Sequence, residues 1–228
     1  AIAGLDFIDE ADAINKALPQ MRADGAKVFV ALIHEGGKTS EAPDQQECKG
    51  LTGGVVDIVK RLDPAIRLVI TGHSHQGYLC KVDGRTVTQA GSYGHLATRI
   101  TMKVDAATDS VTDLQVRNVV LKPGDFPADP KMTAFVTSVK ERSRAALNRP
   151  VARLATAPML RKKNESGESM LGGAIADAVL AATRTNGARI GFMNEGGVRK
   201  DLEAGENNVA AFGQTQAVLP FGNTLVVM

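Results

Sequence analysis

The sequence predicts an α/β fold, and three observations support this class. Residues 27–33 and 68–70 are short apolar runs, of the kind that form buried strands in a parallel sheet covered on both faces. Between these runs, apolar side chains recur at helical spacing, namely Val55, Ile58, Val59 and Leu62. Strand, helix and strand in this order predict a right-handed crossover unit, the element from which parallel sheets are built.

The other segments predict further helices and antiparallel strands. Two hairpins are expected, the first around the turn signal Asp83-Gly84 and the second around a turn-like segment, with strands at residues 77–82, 85–90, 96–104 and 110–120. Helical spacing recurs over residues 9–22 and 168–183. Short strands are expected at residues 190–193 and 224–227.

A proline-rich segment predicts a division of the chain. Residues 122–130 contain three prolines, and Met132, Phe135, Val136 and Val139 then follow at helical spacing. This helix is either an ordinary amphipathic helix or a connector between two domains, and we favour the connector because the composition changes on both sides of it. The predicted organisation is a first domain over residues 1–122, a linker with a connecting helix over 123–150, and a second domain over 151–228.

Charge and hydropathy exclude some classes of partner. Lysine and arginine number 27 against 25 aspartates and glutamates, so the formal net charge is only +2. This balance argues against a protein that binds nucleic acid polymers or anionic membrane surfaces. No apolar run approaches the length of a membrane span, and no secretory signal opens the chain. Because Ala1 does not resemble a natural start, we expect the chain to be part of a longer protein.

Three of the four histidines follow the two apolar runs. His34 comes directly after the first run, while His73 and His75 come after the second, separated by one residue. Ligands of parallel sheets collect at the carboxyl ends of the strands, and histidines at i and i+2 of an extended segment point to the same side. The sequence therefore predicts a metal site formed by His34, His73 and His75. His95 is expected to be a surface residue.

Several motifs resemble one enzyme family. Ile-His-Glu-Gly-Gly (33–37) and Ile-Thr-Gly-His-Ser-His (70–75) resemble the second half of a calcineurin-like metallophosphoesterase domain. Gly-Ser-Tyr-Gly (91–94) is similar to the next segment in the family of 5′-nucleotidases and 2′,3′-cyclic-nucleotide phosphodiesterases. Three later motifs resemble the C-terminal domain of that family, namely Gly-Glu-Ser-Met-Leu-Gly (167–172), Asn-Glu-Gly-Gly-Val-Arg (194–199) and Pro-Phe-Gly-Asn (220–223).

The resemblance implies an architecture and a reaction. The architecture is the C-terminal half of a metallophosphoesterase two-sheet sandwich, an interdomain helix and an incomplete α/β nucleotide-recognition domain. The reaction is hydrolysis of nucleotide phosphoesters with two divalent metal ions, for which imidazole and carboxylate ligands accept zinc, manganese, iron or cobalt. By motif position, His34 and His73 would bind one ion and His75 the other. A nucleotide or nucleoside is the expected partner; the sequence leaves the oligomeric state open.

The resemblance also implies a substrate pocket in the second domain. Phe221 would form one side of a clamp on the base, Asn223 would bind the base edge, and Arg199 would reach the ligand. The remaining residues of this predicted pocket are Asn194, Gly196, Gly197 and Gly222. Without the family motifs, Phe221 would be interpreted as a core residue and Asn223 as a turn former. The arginines that precede these motifs in the family are not clearly present around residues 161–165.

The family's first metal motifs, Asp-x-His, Gly-Asp and Gly-Asn-His-Glu, have no counterpart in this sequence. We therefore expect the chain alone to bind metal weakly and to be inactive, and we predict no catalytic residue within it. The alternative is a catalytically silent nucleotide-binding module. The resemblance implies a periplasmic or extracellular location. Because the family is mostly exported, a disulfide between Cys48 and Cys80 is expected, with two buried free thiols as the alternative.

Overall fold

The computed structural model describes residues 4–227, and the chain divides into two compact units, Ala1–Pro127 and Ala128–Met228. The first unit contains two helices and six strands, namely α1 (Glu10–Ala23), β1 (Phe29–Leu32), α2 (Gly54–Arg61), β2 (Ile66–Ile70), β3 (Gly77–Val82), β4 (Arg85–Ala90), β5 (Leu96–Asp105) and β6 (Ser110–Val120). The second unit contains α3 (Pro130–Leu147), β7 (Pro150–Arg153), α4 (Met170–Thr183), β8 (Val209–Ala211) and α5 (Phe212–Val218).

The first unit is built on a four-stranded sheet of order β1-β2-β4-β3. Strand β2 pairs in parallel with both β1 and β4, and β3 returns antiparallel to β4. The parallel pair arises from the predicted crossover through α2, whose apolar side (Val55, Ile58 and Val59) is buried. The predicted α/β fold class is therefore confirmed.

The hairpin β5–β6 forms a separate two-stranded sheet. Asn118 of β6 joins it to the four-stranded sheet, since its amide group donates to the carbonyl oxygens of Tyr78 and Pro43, both at 2.9 Å. The hydroxyls of Thr88 and Thr98 donate to the Asn118 Oδ1 atom at 3.1 and 2.6 Å. A buried amide with each of its polar atoms bonded fixes this junction without an orphaned group.

The second unit has a much smaller core. Helix α4 begins at Ser169, whose hydroxyl accepts from the Gly172 amide as an N-cap. Its buried residues Leu171 and Ile175 pack with Val198 and Val218. Strands β7 and β8 form an antiparallel pair. None of the helices within residues 4–227 is long and apolar enough to cross a membrane.

The prediction of two strands in the second unit is wrong. Residues 190–193 and 224–227 have no regular secondary structure. The side chains of Ile190 and Phe192 are largely exposed, as is that of Val226. A strand needs a neighbouring strand to satisfy its backbone hydrogen-bonding groups. In the second unit β7 and β8 pair with each other, and this pairing could not be predicted from the short apolar runs.

Candidate functional site

In the first unit, the loops that follow β1 and β2 lie against each other. The Ile33 amide donates to the Ile70 carbonyl at 3.0 Å, and the Gly72 amide donates to the Glu35 carbonyl at 3.2 Å. A Cβ atom at Gly36 would overlap the Gly72 carbonyl oxygen, so only glycine permits this approach. The carboxyl ends of two parallel strands thus bring the predicted histidine segments together, as expected for such a sheet.

Two of the three predicted metal ligands are ring neighbours. The ring centroids of His34 and His73 lie 5.3 Å apart with an interplanar angle of 72°. The His75 ring instead lies edge-on to the Tyr93 ring, with centroids 6.2 Å apart. Both His73 and His75 adopt positive φ angles, 65° and 55°. The expectation that they belong to an extended segment is wrong, because the chain turns sharply at the end of β2.

The first unit brings two imidazole side chains together. Within residues 4–227 no three or more His, Cys, Asp or Glu side chains are grouped so that they could hold a metal ion. Two neighbouring imidazoles provide two nitrogen donors, whereas zinc-type sites require three or four protein ligands. The His34–His73 pair therefore fits a role as part of a metal centre, and the described residues do not complete one.

A cluster of buried polar side chains contacts the loop that carries His73 and His75. The Tyr78 hydroxyl lies 2.6 Å from the Thr71 hydroxyl and accepts from the Gly37 amide at 3.3 Å. The hydroxyl of Ser74, between the two histidines, donates to the Gly37 backbone carbonyl at 2.8 Å and lies 3.2 Å from the side-chain oxygen Oε1 of Gln89. Burial raises the pKa of the Tyr78 hydroxyl, so this group stays protonated and able to donate.

This supporting cluster is not predicted from the sequence. Tyr78 and Gln89 lie on β3 and β4, directly opposite each other in the ladder. Neither residue belongs to a motif that carries chemistry. The available signal was the hairpin prediction, which already placed Tyr78 opposite Gln89 in the ladder.

The two cysteines are joined in the structure. Cys48 and Cys80 form a disulfide with a Cα–Cα distance of 4.1 Å. Backbone hydrogen bonds flank it, from the Cys48 amide to the Leu79 carbonyl at 2.9 Å and from the Lys81 amide to the Cys48 carbonyl at 3.0 Å. The disulfide therefore ties the polar loop after His34 to strand β3.

In the second unit, the predicted pocket residues Asn194, Gly196, Gly197 and Arg199 lie at or beside one short turn. Asn194 precedes a 3₁₀ turn, Glu195–Gly197, and the Arg199 guanidinium donates to the Gly196 carbonyl at 3.0 Å. The Arg199 guanidinium carbon also lies 5.6 Å from the centre of the Phe221 ring. Phe221 is 52% exposed, so its interpretation as a core residue is wrong. Gly222 and Asn223 follow it in an exposed segment without regular structure.

Two basic residues that the sequence analysis did not select hold this turn in place. The Arg161 guanidinium donates to the carbonyl oxygens of Val198 and Arg199 at 3.0 and 2.7 Å. The Lys163 ammonium lies 2.5 Å from a Glu195 carboxylate oxygen, and this hydrogen bond lowers the pKa of Glu195. Their position just before the Gly-Glu-Ser motif was the available signal, since arginines precede this motif in the resembled family.

A surface cavity adjoins the turn. It has a volume of about 630 Å³, and Arg161, Arg199, Lys200 and Gln214 contribute to its lining. Asp201 and Glu203 also line the cavity, so three cationic side chains face two carboxylates and the excess positive charge is one. A guanidinium offers two parallel donors to a phosphate or carboxylate. The arrangement in the second unit can therefore bind an anionic group beside an exposed aromatic ring.

The chain is similar to several known proteins. Residues 150–228 match the family described as the 5′-nucleotidase, C-terminal domain. Endonuclease YhcR of Bacillus subtilis (strain 168) is 26% identical over 98% of this chain and 17% of its own length. Cell wall protein Lmo0130 of Listeria monocytogenes serovar 1/2a is 28% identical over 100% of this chain and 31% of its own length. The chain thus spans less than a third of either relative.

A solved structure shares the fold. The 5′-nucleotidase precursor from Thermus thermophilus aligns with a TM-score of 0.61 and 21% identity, over 96% of this chain and 43% of that one. At this level of identity the alignment supports the fold alone. Together with the match of residues 150–228 to the 5′-nucleotidase C-terminal domain, it supports the family resemblance predicted from the sequence.

Proposed function

We propose that the chain is part of a metal-dependent hydrolase of nucleotide phosphoesters, acting as a 5′-nucleotidase, a 2′,3′-cyclic-nucleotide phosphodiesterase or both. The observation that carries this proposal is the stacking of Arg199 on Phe221, within the segment that matches the 5′-nucleotidase C-terminal domain. The Bacillus relative is named an endonuclease and the Thermus protein a 5′-nucleotidase precursor, and both names denote phosphoester cleavage.

In this proposal the second unit recognises the nucleotide. The exposed Phe221 ring forms one face of a clamp on the base, and Asn223 hydrogen-bonds the base edge. Arg199 is already oriented by the Gly196 carbonyl and by the aromatic ring, so it loses little freedom when it engages the ligand. Asn194, Gly196, Gly197 and Gly222 supply backbone and amide groups close to the ligand.

The first unit contributes metal ligands in this proposal. His34 and His73 bind one divalent ion and His75 the other, in the intact enzyme. When bound, such a pair of ions supplies an activated water and stabilises charge that develops on phosphorus. The donors present do not select among zinc, manganese, iron and cobalt. The hydrogen bonds of Ser74 and Tyr78 support this assignment because they fix the backbone on which the histidines are carried.

We also propose that the protein acts outside the cytoplasm. The disulfide between Cys48 and Cys80 supports this location, since such bonds persist in oxidising compartments. The names of the Listeria cell wall protein and of the Thermus precursor are consistent with it. Cysteine labelling of the protein in whole cells would test it.

Kinetics of Phe221→Ala in the intact enzyme test the assignment of the pocket. If Phe221 stacks on the base, its loss should raise KM for nucleotides by about tenfold or more, given the usual energy of base–aromatic stacking. Hydrolysis of a small artificial phosphodiester without a base should change little, because this substrate does not use the clamp. Both substrates should be measured with the same metal-loaded preparation.

Phe135→Ala is the matched control, because Phe135 is exposed to a similar degree on α3 of the same unit. It should leave both reactions unchanged. Equal losses on both substrates in Phe221→Ala would show that the ring supports the fold instead. Nucleotide binding without any hydrolysis in the metal-loaded intact protein would favour the silent binding module.

A further inference from the structure

A second cavity lies in the first unit, on the side of the hairpin β5–β6. Its volume is about 460 Å³, and its polar lining includes Glu47, Lys81, Thr86, Arg99, Gln115 and Arg117. None of the histidines assigned to the metal centre contributes to it. We refer to this cavity as the hairpin cleft, and it has no role in the function proposed above.

The hairpin cleft carries an excess of positive charge. Lys81, Arg99 and Arg117 face one carboxylate, that of Glu47. This carboxylate already lies 3.7 Å from the Lys81 ammonium, which also donates to the Thr86 hydroxyl at 2.9 Å. The lysine therefore has local partners, whereas the two arginines leave an uncompensated charge at the wall of the cavity.

The two arginines occupy an unfavourable position in the ladder. Arg99 and Arg117 are directly opposite each other in the β5–β6 pairing, where like charges destabilise a sheet. Across residues 4–227, neither guanidinium makes a hydrogen bond or an ion pair with another side chain or with the backbone. Lys103 of the same hairpin, by contrast, pairs with Asp113 opposite it at 3.6 Å.

We propose that the hairpin cleft is a binding site for a phosphate group, carried by inorganic phosphate or by a small phosphomonoester. Two guanidinium forks can each offer parallel N–H donors to the oxygens of one phosphate, and an anion between them removes the repulsion of the opposed pair. The neutral Gln115 and Thr101 side chains continue the same strands as further polar lining.

The geometry favours phosphate over a carboxylate. Three cationic groups line a single cavity, and a phosphate dianion has enough oxygen atoms to engage all of them, whereas a carboxylate has two. The volume falls within the range of small-molecule sites and leaves space for an organic group attached to the phosphate. Inorganic phosphate and a small phosphomonoester therefore both carry the phosphate group that the hairpin cleft would bind.

Calorimetric titration of the whole chain with inorganic phosphate tests the proposal, at low ionic strength and against sodium chloride of equal ionic strength. The hairpin cleft should bind one phosphate, and Arg99→Gln and Arg117→Gln should each weaken binding at this site by about tenfold or more, as expected for the loss of a charge-assisted hydrogen bond. Glycerol phosphate as a second titrant distinguishes the sources, because tighter binding than phosphate would identify a monoester ligand.

Two further variants separate binding from folding and from general charge. Arg142→Gln removes one exposed arginine of α3 in the other unit and should leave phosphate affinity unchanged. Any phosphate that binds in the pocket of the second unit should be lost in Arg199→Gln and retained in Arg99→Gln and Arg117→Gln, which separates that pocket from the hairpin cleft. In phosphate-free buffer, Arg117→Gln should melt at the same temperature as wild type or slightly higher, because it removes the repulsion across the ladder.

Chemical shifts locate the ligand. Phosphate should perturb the backbone amides of residues 99–101 and 115–117 in amide-resolved NMR spectra. Absence of saturable phosphate binding would overturn the proposal, as would binding that both Gln variants retain in full. A lower melting temperature of both variants without phosphate would also overturn it, because the arginines would then stabilise the fold itself.

Discussion

The two units hold their candidate sites in place by different means. In the first, sixteen buried residues form a single core under the sheet, and the histidine loops lie on a buried cluster of hydrogen-bonded side chains. In the second, the core cluster consists of four buried residues, and the Gly196–Gly197 turn is held at the surface by Arg161, Lys163 and carbonyl oxygens. One site depends on core packing, the other on exposed polar contacts.

This difference indicates how each site should respond to change. Burial of apolar area dominates stability, so a unit with a larger core tolerates the loss of one side chain better than a unit with a small one. Exposed ion pairs contribute little to stability. We therefore expect the second unit to unfold more easily than the first.

Removal of the disulfide should have the largest effect and should be confined to the first unit. The bond closes a loop with a sequence separation of 32, for which the chain-entropy model gives about 3 to 4 kcal/mol. Cys48→Ala/Cys80→Ala should lower the free energy of unfolding of the first unit by this amount. Tyrosine fluorescence reports on it selectively, because Tyr78 and Tyr93 are the two tyrosines of the chain and there is no tryptophan.

Reduction of the Cys48–Cys80 disulfide in the wild-type protein is the matched experiment, and it should lower the free energy of unfolding of the first unit by the same amount. Amide exchange in α4 should stay unchanged in both cases. Two alkylatable thiols in protein prepared under oxidising conditions would contradict the disulfide, and an unchanged tyrosine transition after reduction would contradict its contribution to stability.

Leu171→Ala should have the next largest effect, in the second unit. Leu171 is 2% exposed and belongs to the four-residue core, so the cavity and the lost burial should cost about 3 kcal/mol. Amide exchange throughout α4 should accelerate accordingly, while the tyrosine transition of the first unit remains at its wild-type position. Met170→Ala, at a 60% exposed neighbour on the same helix, is the control and should change little. Slower exchange than expected would show that the second unit has more support than its small core provides.

Tyr78→Phe should have the smallest effect of the three, with a dependence on pH. Loss of the buried hydroxyl should lower stability by about 1 kcal/mol at neutral pH. Because burial raises the folded-state pKa above the unfolded value of about 10, the contribution of this protonated group is present below pH ~10 and is lost as the pH rises through the folded pKa. Wild type should therefore lose stability above pH ~10 more steeply than the variant.

Urea unfolding followed by circular dichroism at several pH values measures this difference. Tyr93→Phe is the control because its ring is exposed, and it should follow the wild-type curve. Parallel curves for wild type and Tyr78→Phe in alkaline solution would show that the Tyr78 hydroxyl does not titrate as its burial requires.

The elements that the sequence predicted well share local causes. The hairpin around Asp83-Gly84 has the predicted bounds, because a two-residue turn determines the register of the strands on either side. The strand, helix and strand that bring His34 beside His73 follow from apolar periodicity and from the handedness of parallel connections. The family motifs could also be recognised in the sequence, because each is a contiguous run of residues.

Features that required the tertiary structure depend on residues distant in the chain. His73 and His75 have positive φ angles in the loop that contacts Gly36. No pattern within residues 67–78 predicts this contact. Arg161 acquires its role from carbonyl oxygens about forty residues later, at Val198 and Arg199. Residues 190–193 and 224–227 have strand-like composition but no strand partner among residues 4–227, and pairing is a property of two segments that neither one encodes alone.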